Sequence, residues 1–337
     1  MLLLNSFLGI MFKLEKSKLV HFRVDLNSSS GYGHLARTLP LAEELQNRGW
    51  RVTYSSNFIS KNLRQLELLE GWKLSKDKDV FPDLLVTDLY SSSHTADLIR
   101  SDSQTKILSF IDQETPPGEA DLYYLASPVP KWEQSKISKG ANSLFGFSYT
   151  QIRQQLIRLK AGHVLSQTTS DITKVGITLG GSEFPGIMEK LLVSLEELGL
   201  NLELVVISNL PLNVNSYPTA NVRLISKSTK FMEELMVCDL VLCSASLTAL
   251  ELIYLNVPVM VFETVTNQAY FFHDLISSQN IIGFSFLKDD LSLLSSKLSV
   301  ALTDLELVRN SIIPLNKLID GKGSVRLADA AEALFLL

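Results

Sequence analysis

Four short stretches of this chain place residues able to do chemistry just after a strand. The first is Gly31-Tyr32-Gly33-His34. Glycines let the backbone come close to a ligand. The helix that follows offers unpaired N–H groups and a positive dipole end to an anion. A neutral His34 could act there as a general base. A tight strand–helix turn capped by the histidine accounts for the same residues, and both readings stand at this point. The second stretch, Gly180-Gly181-Ser182-Glu183, reads either as another anion-binding loop or as a plain turn. In the third, Ser244 to Glu251, Ser246 and Thr248 could donate to phosphate, and Glu251 could accept two ribose hydroxyls. The plainer alternative is a Thr248–Glu251 capping box. The fourth is Asn267-Gln268, whose amides suit sugar hydroxyls and diphosphate oxygens; an N-cap Asn267 is the structural alternative.

Other chemistries lack their residues. No HExxH, Cys–His or Ser–His–Asp spacing appears, nor a Walker loop or a GxGxxG. A metal site is not expected, and His273-Asp274 reads as a helix surface. Cys238 and Cys243 are the only cysteines, too few for a disulfide framework or a four-ligand zinc site, so a reducing cytoplasm is the expected setting. The net charge of −5 argues against nucleic acid or an anionic membrane surface as a partner. The opening run MLLLNSFLGIMF is too short to span a bilayer and lacks a signal-peptide pattern. Residues 1–18 are read as an extension outside the fold, with Met11 as a candidate natural start.

The elements that must position these residues alternate along the chain. Leu19–Val24, Arg51–Tyr54, Leu84–Thr87 and Ile107–Ile111 read as strands, and Leu35–Arg48 as a helix closed by Gly49. Leu63–Leu69 reads as another helix. Pro40 predicts a kink or an irregular first turn. His34, Asp88, Tyr90 and Asp112 all follow strand ends, where ligands bind in doubly wound sheets. Glu114–Gly140 reads as irregular, with a helix near Tyr149–Lys160 after it and a linker over 161–172. From Lys174 the alternation resumes, with strands at Val175–Leu179, Leu202–Ile207, Val222–Ile225, Leu240–Cys243 and Val259–Phe262. Helices are expected over Pro185–Leu198, Thr248–Leu255 and Gln268–Ser278, and a helical tail from Leu291 with a break at Pro314. The predicted architecture is α/β. Two doubly wound, Rossmann-like domains, residues 19–160 and 173–337, face a cleft, with the last helix available to pack back on the first.

Taken together, the motifs resemble the UDP-2,4-diacetamido-2,4,6-trideoxy-β-L-altropyranose hydrolases of pseudaminic acid biosynthesis and related spore-coat polysaccharide proteins. The pattern FRxD…GxGHxxR…LA is matched by Phe22, Arg23, Asp25, Gly31, Gly33, His34, Arg37, Leu41 and Ala42. A strand ending DxY is matched by Asp88 and Tyr90. A GGSD-like loop is matched by Gly180, Gly181 and Ser182, with Glu183 for Asp. SGGxTxxE is matched by Ser244, Thr248 and Glu251, with Ala245 and Ser246 in place of two glycines. NQ is matched by Asn267 and Gln268, and DGxGxxR by Asp320, Gly321, Gly323 and Arg326.

The resemblance implies the GT-B arrangement of the MurG type, with nucleotide held by the second domain and sugar facing the first. It implies that Glu251 takes the ribose, that Ser246 and Thr248 hold the diphosphate, and that Asn267 and Gln268 sit at the sugar end. His34 would activate water, Asp25 or Asp88 would orient it or bind the sugar, and Tyr90 would bind sugar or water. The implied reaction is metal-independent, cofactor-free hydrolysis of a UDP-sugar with inversion. A glycosyltransferase of the same fold and a non-catalytic nucleotide-sugar binder are the competing readings.

Overall fold

In this computed structural model the described residues are 17–24, 33–55, 72–74, 81–89, 104–111, 120–127, 142–162, 173–180, 185–209, 211–213, 216–217, 221–226, 230–278 and 280–336. The first half contains β1 (Leu19–Val24), α1 (Gly33–Asn47), β2 (Arg51–Ser55), β3 (Lys73–Leu74), β4 (Leu84–Asp88), β5 (Lys106–Phe110), β6 (Leu122–Leu125) and β7 (Asn142–Phe145). A 3-10 turn at Phe147–Tyr149 and α2 (Gln154–Gly162) lead out of it. The second half contains β8 (Thr173–Thr178), α3 (Pro185–Glu197), β9 (Leu202–Ile207), β10 (Asn221–Ile225), α4 (Phe231–Leu235), β11 (Leu240–Ser244), α5 (Leu247–Tyr254) and β12 (Val259–Glu263). It continues through α6 (Ala269–His273), β13 (Gly283–Ser285), α7 (Leu294–Thr303), α8 (Leu305–Leu318) and α9 (Gly323–Ala333).

Among the described residues the strands form two parallel sheets, one seven-stranded in the order β3-β2-β1-β4-β5-β6-β7 and one six-stranded in the order β10-β9-β8-β11-β12-β13. Both are doubly wound. Each reverses direction beside its first strand, between β1 and β4 in one sheet and between β8 and β11 in the other. Such reversals open a crevice at the carboxyl ends of the strands.

The second sheet is apolar on both faces, as parallel sheets buried between helices are. Val241 and Cys243 pack on one side, Leu240 and Leu242 on the other. The first sheet is two-faced. Val20, Phe22, Val24, Leu84, Val86, Leu108 and Phe110 pack beneath α1 and α9. The opposite face carries buried polar side chains: His21, Arg23, Thr53, Ser55, Thr87 and Ser109. His21 Nδ1 lies 2.8 Å from Thr53 Oγ1, and its Nε2 lies 2.8 Å from Ser55 Oγ.

Helix α1 buries Leu35, Leu39, Ala42 and Leu45 at helical spacing. It ends as its sequence demands: Gly49 adopts φ +90°, Gly49 N–H donates to Gln46 O, and Trp50 N–H donates to Leu45 O. Pro40 does not bring the expected irregular turn, for the helix is continuous through it. The carbonyl that loses a donor belongs to Ala36, which is half-exposed, so water can replace the lost bond. The break expected at Pro314 is absent for the same reason. Helix α8 runs through it, and the carbonyl left without a donor belongs to exposed Asn310.

The stretch expected to be irregular holds a strand. Leu122–Leu125 is apolar and aromatic and pairs with β5. The helix after it begins at Gln154, later than expected, because Phe147–Tyr149 forms a separate 3-10 turn. The expected helix at Leu63–Leu69 lies outside the described residues.

Packing between the halves does not follow the boundary at residue 160. Phe147, Ile152 and Leu156 lie in the second half's core. Conversely, Leu327, Ala328, Ala331 and Leu334 of α9 lie in the first half's core. Arg48 at the end of α1 reaches Asp329 at 2.7 Å and Glu332 at 2.8 Å, and Trp50 Nε1–H donates to Glu332 at 2.9 Å. The DGxGxxR stretch fastens this return. Asp320 pairs with Arg326 through both carboxylate oxygens, at 2.8 and 2.6 Å, and Arg326 donates to Ser148 O at 2.8 Å.

Two predictions follow from this packing. A Cβ on Gly323 would sit 2.1 Å from Thr150 O, a backbone atom that cannot swing away. Gly323→Ala should therefore destabilise the fold by about 2 kcal/mol or more, measured by urea unfolding. Burial, then repulsion from Arg23, lowers the His21 pKa from 6.5 to about 4. The unfolded chain thus binds a proton between pH 6.5 and 4 that the folded chain refuses. The stabilising contribution is complete above pH 6.5 and is lost as pH falls toward 4, by about 3 kcal/mol. Denaturant titrations at pH 7 and 4.5 should show this loss, and His21→Gln should flatten it.

Candidate functional site

The reversal in the first sheet brings β1 and β4 side by side, with Val24 in register with Asp88. His34, buried in the first turn of α1, meets Asp88, buried at the end of β4. His34 Nδ1 is 2.5 Å from Asp88 Oδ1 across 54 residues of sequence. One turn further along α1, Arg37 Nε is 2.6 Å from Asp88 Oδ2 and its Nη2 is 2.5 Å from Oδ1.

The chemistry of these contacts fixes their direction. An ionised carboxylate only accepts hydrogen bonds, so Nδ1 carries the ring proton and the lone pair of the neutral ring resides on Nε2. Burial alone would push the Asp88 carboxyl upward. The Arg37 charge, the His34 ring and their hydrogen bonds outweigh that and hold it below the ordinary carboxylate value. Asp88 is therefore an anion at neutral pH. A histidine oriented by a buried carboxylate is a general-base arrangement.

The second sheet repeats the geometry at its own reversal. Gly180 follows β8 with φ +78°, a conformation that favours glycine. A Cβ there would lie 2.9 Å from Ser244 Oγ at the end of β11. Ser244 Oγ donates to Ser246 Oγ at 3.3 Å. Ser246 is the N-cap of α5, yet its side chain makes no cap hydrogen bond. The unpaired N–H groups of this helix start thus open beside two hydroxyls and a glycine, a combination suited to phosphate. Thr248, half-buried, stands in the first turn.

The Thr248–Glu251 capping box is not formed. Glu251 is buried, and both its oxygens are taken by Arg153, at 2.7 and 2.8 Å. Any ribose approaching Glu251 would compete with this two-pronged pair. The sequence could not show it, because the partners are 98 residues apart.

Asn267 is exposed inside a 3-10 turn and is not an N-cap; that position belongs to Val265. Gln268 Oε1 accepts from Thr264 N–H at 2.8 Å and from its hydroxyl at 3.1 Å, which fixes the amide at the end of β12. Arg23 does not join His34. It alternates with Val24 along β1 and lies on the polar face of the sheet beside His21, whereas α1 covers the other face. Gly33 begins α1 and is exposed. Asp25, Gly31, Tyr90, Asp112, Gly181, Ser182 and Glu183 lie outside the described residues. Arg37 belongs to the GxGHxxR pattern, but sequence reasoning gave it no task.

No protein-family model matches the chain, and no curated protein matches it in sequence. Solved structures do match its fold. MurG of Acinetobacter baumannii is similar over 94% of this chain and 99% of its own, with 12% identity and a TM-score of 0.66. UGT89C1 of Arabidopsis thaliana, solved with UDP-L-rhamnose, is similar over 96% and 100%, with 13% identity and a TM-score of 0.67. A putative UDP-N-acetylglucosamine 2-epimerase of Listeria monocytogenes is similar over 95% and 97%, with 13% identity and a TM-score of 0.64. Glycosyltransferases recur among the other similar structures. At these identities the likeness defines the fold, and that fold is the two-domain GT-B arrangement expected from the sequence. Among the described residues no helix is long and apolar enough to cross a membrane.

The Arg153–Glu251 pair supplies a stability prediction. Glu251→Ala leaves a buried guanidinium without its carboxylate and should cost about 3–5 kcal/mol. Pairing Glu251→Leu with Arg153→Met should restore most of that loss, read by thermal or urea unfolding.

Proposed function

We propose that this chain is an enzyme acting on a nucleotide-activated sugar, and that its reaction is glycosyl transfer from a UDP-sugar to an acceptor hydroxyl. The observation that carries the reading is the 2.5 Å contact between His34 Nδ1 and the buried, ionised Asp88 at the first sheet's reversal. The similar fold of proteins named as glycosyltransferases, and of one solved with UDP-L-rhamnose, supports transfer as the reaction.

In the proposed reaction the diphosphate sits at the start of α5, near Gly180, Ser244, Ser246 and Thr248. Gln268 and Asn267 face the sugar end. His34 Nε2 takes the proton of the acceptor hydroxyl as its oxygen attacks the anomeric carbon. The bond from that carbon to the diphosphate oxygen breaks on the opposite side, UDP leaves, and the configuration inverts. UDP departs as a stabilised anion, so a single base and an anion cradle suffice. Donors already aimed at the departing charge contribute much of the rate.

Water in place of the acceptor turns the same geometry into a hydrolase. The motif series from Phe22 to Arg326, which resembles UDP-sugar hydrolases acting on an amino-deoxy sugar, favours that second reading. Incubating the protein with a panel of UDP-sugars, with and without acceptor alcohols, separates the two. Transfer predicts UDP release that depends on acceptor and yields a glycoside. Free sugar formed at the same rate without acceptor would establish hydrolysis instead. In either case His34→Ala should retain UDP binding and lose turnover by about 10²-fold or more. Full turnover in that variant would remove the histidine from the reaction. Glu251→Gln, measured by UDP titration, addresses the ribose: weakened binding with an intact fold supports contact, and unchanged binding leaves Glu251 to Arg153 alone.

A further inference from the structure

Arg37 and His34 share one carboxylate. Arg37 Nη2 and His34 Nδ1 each lie 2.5 Å from Asp88 Oδ1, while Arg37 Nε holds Oδ2 at 2.6 Å. Asp88 is fully buried, and the Arg37 side chain is 23% exposed. The guanidinium therefore reaches this carboxylate from the solvent side and grips it along both edges, a geometry that an ammonium cannot copy.

We propose that Arg37 is a positioning residue of the reaction: it orients the Asp88 carboxylate toward His34 and balances its charge, so that the imidazole keeps a lone pair for the incoming hydroxyl. This inference rests on the reading of His34 as the base.

The argument is one of charge. A carboxylate beside an imidazole favours the protonated ring, and a guanidinium on the same carboxylate opposes it. With Arg37 removed, buried Asp88 would stand beside the imidazole with its charge unbalanced and without the two-pronged grip that aims it at Nδ1. Other described side chains lie around the three. From β6, Tyr124 stands near Arg37 and Asp88; burial raises its phenol, which stays protonated and donates to Tyr149 O at 3.0 Å. From β2, Tyr54 is likewise held protonated by burial. Strand β1 turns apolar Phe22 and Val24 to this face. Farther along α1, Glu43 lies near Arg153 and Arg158, and Glu44 pairs with Arg48. Asp329 and Glu332 of α9 meet Arg48 at the opposite end of the helix.

The test is the pH dependence of kcat for the wild type, Arg37→Gln and Arg37→Lys, on the UDP-sugar that the substrate panel identifies. Arg37→Gln should lose about 3-fold in kcat at pH 7 and up to about 10-fold below the acid limb, and regain most of it by pH 9, its acid limb moved upward by about one pH unit, with KM changed less than about twofold. Arg37→Lys keeps the charge and loses the fork. Its acid limb should stay in place while kcat falls by roughly 3- to 10-fold at every pH. A uniform loss in Arg37→Gln, or a profile like the wild type's, overturns the proposal. If circular dichroism shows Arg37→Gln unfolded, Arg37→Lys decides: a displaced acid limb or an undiminished kcat overturns it. His34→Ala separates the two levels. Undiminished turnover there sinks the base reading and this inference with it. Lost turnover there, beside an unmoved limb in Arg37→Gln, sinks the Arg37 assignment alone.

Discussion

A largely buried guanidinium and a buried carboxylate hold the segment between the two halves, and neither can be left alone. Arg153 sits where the chain leaves the first half, and Glu251 sits on α5, whose start adjoins Gly180 and Ser244. Removing either partner strands a charge in a medium that solvates it poorly. The pair therefore ties the exit segment to α5. The same segment is seated from the other side. Tyr124 and Gln151 both donate to Tyr149 O, and Gly323 presses against Thr150 O so closely that only a hydrogen fits. The joint adds this polar and steric lock to the hydrophobic packing of Phe147, Ile152 and Leu156.

This lock matters for chemistry because of what lies beyond each end of it. Toward the first half are Tyr124, Arg37 and Asp88; toward the second are Glu251, α5 and Ser246. Each sheet alone offers only part of the arrangement: the His34–Asp88 pair at one reversal, and a glycine, two hydroxyls and a helix start at the other. Parallel sheets put both at strand carboxyl ends, because every crossover there leaves by a loop that starts a helix. Fixing how one sheet meets the other is the remaining task, and it falls to residues that touch no reacting atom.

Much of this was legible in the sequence. Buried parallel strands read as apolar runs, and the loops after β1, β8, β11 and β12 were found from glycines and small polar residues at their ends. What could not be read has physical causes. Strand β6 is four residues between prolines, and β7 is a half-exposed edge, so neither carries a period. Prolines at 40 and 314 looked disruptive because the sequence does not say which carbonyl faces water. Arg23 shares the FRxD…GxGHxxR pattern with His34, while alternation along β1 places it with His21 on the other face. Glu251 was the most instructive case. Helix position made it a cap or a ribose ligand; the cap does not form, and a partner 98 residues away holds both its oxygens.

The return of the last helix to the first half gives His34 its reference frame. Helix α1 carries His34 and Arg37 at one end and Arg48 at the other. Arg48 is held by Asp329 and Glu332, and the helix body by Leu327, Ala328 and Ala331 of α9. Asp320 and Arg326 in turn secure α9 to the exit segment through Ser148 O. The DGxGxxR stretch, which reads in sequence like one more ligand loop, is therefore a fastening. It lets residues far along the chain set the axis of the helix that carries His34. A shift of that axis would displace His34 relative to Asp88, so this contact depends on residues near both ends of the chain.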